Sequence, residues 1–109
     1  DVPPTLVSFA VDVDSYLNIV TPELKKAGNV LLLMKVDRDS FELPVYADAL
    51  TKYGALRKAV LDGKIESAYA VGFGGVIEAV SKMAFGTKLG VKLDEKSITE
   101  KALVAQAYG

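Results

Sequence analysis

Apolar and polar positions along this chain change their period several times. Between residues 5 and 13 (TLVSFAVDV) they alternate. Val7, Phe9, Val11 and Val13 fall on one side, and Leu6, Ser8, Ala10 and Asp12 on the other. That spacing predicts a strand with one strongly apolar face, which Asp14 and Ser15 then break. Residues 30–36 (VLLLMKV) are apolar without alternation, the pattern of a strand covered on both faces. Residues 65–71 (IESAYAV) predict a third strand and residues 90–93 (GVKL) a fourth.

Helical signals lie between these segments. Thr21 can cap, Pro22 suits a first helical position and Glu23 complements the positive end of the dipole. They predict a short helix that Gly28 and Asn29 stop. From residue 44 to 62 the period becomes helical, with Tyr46, Ala49, Leu50, Tyr53, Leu56 and Val60 on one stripe. Gly63 ends that helix. Gly72-Phe73-Gly74-Gly75 leads directly into another, whose stripe is Ile77, Val80 and Ala84, widened by Val76 and Met83; Gly86 closes it. Ser97 and Glu100 form a capping box for a last helix running to about Tyr108. Strands alternating with helices predict an α/β layer architecture around a sheet that is free to be mixed.

Composition narrows the chemistry. The 109 residues include no cysteine and no histidine, half are apolar, and the formal net charge is −1. One domain with one core is the expectation for such a length. Disulfides, zinc–thiolate sites, thiol nucleophiles and His-based triads are excluded, while an oxygen-only metal site is not. The near-neutral charge argues against a dedicated nucleic-acid binder. The longest strongly apolar run, residues 30–34, is too short to span a bilayer, and the N-terminus does not read as a signal peptide. A cytoplasmic domain is the expectation. Asp1 is not methionine, and the residues that follow it read like a connector entering a strand; both ends read as those of a piece of a longer chain.

The arrangement strand, Gly-x-Gly-Gly, helix carries a possible mechanism. Glycines let the backbone approach a ligand, and N–H groups at the following helix N-terminus can hold an anion. On that reading Gly72, Gly74 and Gly75 cradle a phosphate. On the plainer reading they make a tight strand-to-helix turn. The plainer one is preferred, since no P-loop lysine follows and the dinucleotide fingerprint spacing is not met. Asp12 and Asp14 are paired carboxylates that could hold magnesium, although such residues more often form solvated turns. Lys25-Lys26 and Arg57-Lys58 could meet phosphates, but such pairs are usually solvated helix faces. Tyr46 and Tyr53 read as core or rim aromatics. Glu23, Glu78 and Glu100 read as helix-surface charges rather than general bases.

Four strings, taken in order, resemble one family. They are VPPTLVSFAV (residues 2–11), VTPELKKAGN (20–29), SAYAVGFGGV (67–76) and EAVSKMAFG (78–86). Together they resemble the C-terminal-type domain of the second aminoimidazole ribonucleotide synthetase-like unit of phosphoribosylformylglycinamidine synthases. The resemblance covers most of the chain. It implies a three-layer α/β sandwich (of α+β type) with a mixed sheet, like the aminoimidazole ribonucleotide synthetase C-terminal domain, with partial ferredoxin-like similarity.

The resemblance also implies a parent enzyme, an ATP-dependent carbon–nitrogen ligase of purine biosynthesis. It amidates formylglycinamide ribonucleotide with ammonia from glutamine, delivered by a glutaminase domain or subunit, using ATP and magnesium. Implied partners are the other domains of that enzyme and its small-molecule substrate, with no nucleic acid and no membrane. The isolated chain is expected to be structural, to catalyse nothing and to bind no cofactor tightly. Relatives of the superfamily carry His-Asp-x-Ser-Asp-Gly-Gly at the turn. Here Tyr69 and Ala70 stand in place of His-Asp, and Phe73 replaces the Asp before Gly74-Gly75. Relatives also continue into a further strand beyond the position of Gly109. Without it an edge is left open, through which a homo-oligomer of the fragment would form. The other reading is a phosphate- or nucleotide-binding domain of a different ATP-using member of the superfamily.

Overall fold

A computed structural model of the chain describes residues 3–94, 96 and 103–104. Its ordered framework is helical. Helix α1 runs Tyr46–Leu61 and helix α2 Gly75–Phe85, preceded by a single 3-10 turn at Tyr16–Asn18. Leu103 and Val104 are helical as well; the rest of the expected last helix, including Ser97 and Glu100, lies outside the described residues.

Both α-helices occur where the 3.6-residue period places them. Ahead of α1, Asp39 organises a tight loop: its Oδ1 accepts from the N–H groups of Phe41 and Leu43, and an isolated antiparallel bridge joins Arg38 to Pro44. The helix ends at Asp62, whose N–H donates to the Lys58 carbonyl, and Gly63 turns the chain away at φ +69°. Only part of its expected stripe is covered. Ala49 is buried and Leu56 and Val60 are half-buried, while Tyr46 and Leu50 face solvent.

Helix α2 carries the core. Val76, Ala79, Val80 and Met83 are buried, the i, i+3, i+4, i+7 pattern of one helix face. Val71 from the preceding segment packs on them, with Val91 and Leu103 at the margin. The buried face is rotated from the predicted one: Ile77 is exposed and Ala84 is half-buried. Segment 21–24 lies against the same core. Leu24 N–H donates to the Met83 carbonyl at 2.9 Å, and Ser67 Oγ donates to the Glu23 carbonyl at 2.6 Å.

The expected α/β sandwich is not what the chain forms. Among the described residues there is no strand and no sheet, so a three-layer sandwich with a mixed sheet is ruled out. What remains of the predicted pairing is one isolated parallel bridge, Thr21 to Ser67, and the hairpin-like bridge before α1. A strand exists only by exchanging hydrogen bonds with a neighbour about 4.8 Å away, and alternation within one segment does not supply that neighbour.

The anchoring of the first two segments explains why they do not meet. Asp14, at the end of segment 5–13, is held by Arg57 at 3.1 Å. Segment 30–36 is tied to the other end of α1. Lys52 Nζ donates to the Lys35 carbonyl, and the Asp37 N–H donates to Asp48 Oδ2. Along α1, Arg57 is about 8 Å of helix rise from Lys52 and about 14 Å from Asp48, against a strand spacing of about 4.8 Å. Leu6, Val7, Phe9, Val11 and Val13 are consequently exposed on both faces of their segment. The fourth predicted strand, 90–93, is likewise without a ladder.

The predicted short helix after Thr21 is also absent. Pro22 and Gly28 leave five residues between them, too few to offset the cost of nucleating a helix. The Thr21 hydroxyl, the expected cap, donates to Glu23 Oε1 instead, and Gly28 makes a turn at φ +91°. The radius of gyration is 16.0 Å, against about 13 Å for a compact domain of this length.

Candidate functional site

The glycine turn begins at a buried residue, Val71, and ends in the first turn of α2. Gly75 N–H donates to the Gly72 carbonyl at 3.0 Å, which closes the turn. Gly75 takes φ +70°, a left-handed conformation that glycine adopts without a side-chain clash. The structure therefore brings Gly72, Gly74 and Gly75 together as the sequence predicts, with two of their N–H groups already engaged. The second is Gly74 N–H, which donates to Glu78 Oε2 at 2.8 Å.

Glu78 is the residue that sequence reasoning missed. It was expected on the helix surface, yet its carboxylate reaches back over the glycine turn. Its other oxygen, Oε1, pairs with Lys82 Nζ at 2.5 Å. Lys82 first, then the Gly74 N–H, holds the Glu78 carboxyl below the ordinary glutamate range. The same pair, with Tyr69 as the next contributor, raises Lys82. A chain of contacts results, from Gly74 N–H through Glu78 to Lys82. The sequence signal is the i, i+4 ladder Gly74, Glu78, Lys82, which places all three on one side of the helix start.

In this arrangement the position a phosphate would take is shared with Glu78. An anion at the turn would be drawn to the N–H groups and the positive helix end. Here the chain's own carboxylate occupies that position, and a second anion would meet like charge. The space is equally closed: a Cβ on Gly74 would collide with Glu78 Oε2 and Cβ, whereas one on Gly72 would meet nothing within 4 Å. At Gly72, Gly74 and Gly75 the Gly74 N–H is taken by Glu78, so a phosphate there would compete with that carboxylate.

Other candidates resolve into local structure. Asp14 accepts from Ser15 N–H, Asn18 Nδ2 and Arg57, and Asn18 is the largest cause of its lowered pKa. Asp12 accepts from Val13 N–H. Asp14 thus braces the 3-10 turn, which Ser15 caps, and holds it to α1, while Asp12 bonds its own neighbour. Among the described residues no group of three His, Cys, Asp or Glu is placed to hold a metal.

The basic pairs are matched by carboxylates: Lys25 with Glu23, Lys26 with Glu66, Arg57 with Asp14 and Lys58 with Asp62. A shallow groove of about 360 Å³ lies beside Lys25, Lys26 and Lys64. Lys64 also has a carboxylate near it, Asp62 at 3.9 Å. The groove therefore offers an anion little unbalanced charge.

Among the described residues, no helix is long and apolar enough to cross a membrane. No protein-family model, curated protein or solved structure matches this chain.

Proposed function

We infer that this chain is a structural, non-catalytic domain of a phosphoribosylformylglycinamidine synthase working in the cytoplasm. Its parent would carry out the ATP- and glutamine-dependent amidation of formylglycinamide ribonucleotide. Support for the parent comes from the four ordered strings at residues 2–11, 20–29, 67–76 and 78–86. Support for a structural role comes from one observation, the Glu78 carboxylate seated on the Gly74 N–H. A turn that satisfies its own donor stabilises a helix start and has no need of a phosphate.

In this reading the nucleotide and magnesium belong to the neighbouring synthetase-like domain of the parent, and ammonia to its glutaminase domain or subunit. This chain contributes the α2 core and the surfaces around it.

Backbone amide shifts, titrated with ATP–magnesium and separately with inorganic phosphate, test the structural role. The expected result is no saturable shift at Gly72, Gly74, Gly75 or Val76. Saturable, salt-sensitive shifts at those four amides would replace this reading with that of a phosphate-binding domain of another ATP-using relative. The parent is tested by the coding sequence on either side. A nucleotide-binding synthetase unit upstream is expected; its absence sinks the assignment.

A further inference from the structure

We propose that segment 5–13 is a self-complementary edge, through which two copies of this chain pair antiparallel about Phe9. The inference is independent of the synthase reading and rests on three observations.

The first is exposure. Leu6 is 94 % exposed, Phe9 84 % and Val13 91 %, so apolar side chains at alternate positions of the segment are uncovered. Its backbone N–H groups make one local contact, from Val13 N–H to the Asp12 side chain. An uncovered apolar segment of this composition can pair as a strand with another chain.

The second is symmetry. A two-fold axis through Phe9 sets Phe9 against Phe9 of the second copy, Val7 against Val11, and Thr5 against Val13. These residues form one continuous apolar face, the best kind of cross-strand pairing. On the other face Ser8 meets Ala10, and Leu6 meets Asp12. The single charge of the segment never faces its own copy. A patch that reads the same from both sides is what a two-fold interface needs.

The third is the lack of a partner within the chain. Segment 30–36, the natural alternative, is tied to α1 through Lys52, and the Asp37 that follows it through Asp48, about 8 and 14 Å of helix rise from Arg57. With a formal charge of −1, two copies repel each other little.

The size of the contact sets its strength. A nine-residue strand is about 30 Å long, and pairing covers roughly 500 Å² per copy, near the lower bound of about 1,000 Å² in total for a specific interface. The dimer is therefore weak and forms with rising concentration.

Sedimentation of the full chain, from micromolar to millimolar, provides the first readout, with a monomer–dimer equilibrium expected. Phe9→Asp sets two carboxylates directly opposite and raises the dimer dissociation constant at least about tenfold. Phe41→Asp, at an equally exposed position in the loop before α1, leaves it unchanged.

Register is read by crosslinking, which the absence of native cysteine makes unambiguous. Phe9→Cys places two thiols across a cross-strand pair, within disulfide range, and oxidises to a covalent dimer. Leu6→Cys leaves its thiols about 20 Å apart and does not. A chain that stays monomeric throughout overturns the proposal. So does a dimer that Leu6→Cys traps and Phe9→Cys does not, and so does a monomer whose residues 5–13 show protected amides, which would mean pairing within the chain.

Discussion

Gly75 and Gly72 sit three residues apart in the same turn and answer to different constraints. Gly75 holds φ +70°, where a Cβ presses on the following carbonyl. Gly75→Ala is expected to cost about 1–2 kcal/mol in urea denaturation. Gly72 has open space around its Cα. Gly72→Ala is expected to be neutral or slightly stabilising, since it removes freedom from the unfolded chain. Equal losses at both would mean that the turn is not the one described.

Glu23 offers a second test at this scale. The Lys25 ammonium, then the Thr21 hydroxyl, lowers its pKa to about 2 from an ordinary 4.5. A depressed carboxylate stabilises the fold above its unfolded pKa, and that contribution is lost as pH falls towards the folded value. The loss therefore occupies the window from about 4.5 down to about 2. Carboxyl carbon shifts followed through that window should place the Glu23 midpoint at the acid end. A midpoint near 4.5 would mean that the Lys25 contact does not persist in solution, as exposed ion pairs often do not.

At the scale of the element, α2 and α1 differ in what holds them. Five residues of α2 are buried (Gly75, Val76, Ala79, Val80 and Met83), whereas α1 buries Ala49 alone. Helices this short draw their stability from such faces rather than from intrinsic propensity. Met83→Ala is expected to destabilise by about 2 kcal/mol, the low end for such truncations because a small core can partly collapse. Ile77→Ala, on the exposed side, should cost less than about 1 kcal/mol. Reversal of that order, measured by the same denaturation series, would restore the helix orientation that the sequence predicts. Ile77 was assigned inward because α2 is apolar on several sides. Val76, Ile77, Ala79 and Val80 are compatible with more than one buried face, and contact with Val71 selects among them.

For the molecule as a whole, a large share of the apolar side chains is not covered. Val7, Phe9, Val11, Val30, Leu32 and Phe41 are all more than three-quarters exposed, beside a core centred on α2. Small-angle scattering extrapolated to zero concentration should give a radius of gyration near 16.0 Å. A value near 13 Å, that of a compact domain of this length, would mean that segments 5–13 and 30–36 fold onto the rest. Amide exchange should agree, with protection concentrated in α1 and α2 and little in segment 5–13 of the monomer.

The sequence by itself determined the local elements whose causes are local. The helical period from residue 44 to 62, the stop at Gly63, the glycine turn and the helix behind it are all legible, because their hydrogen bonds close within a few residues. The absence of histidine and cysteine settled which chemistries the chain cannot perform. Tertiary structure decided everything that depends on a distant partner. Segments 5–13 and 30–36 have strand composition, yet they are tied to α1 at Arg57 and at Asp48 and Lys52, and among the described residues no sheet forms between them. The fate of the glycine turn was decided the same way. The pattern Gly-x-Gly-Gly is compatible with a phosphate or with a carboxylate, and the reach of Glu78 back from the next helical turn puts its carboxylate on the Gly74 N–H. Periodicity reports which face a residue prefers; what lies against that face is set by chain geometry that no single segment contains.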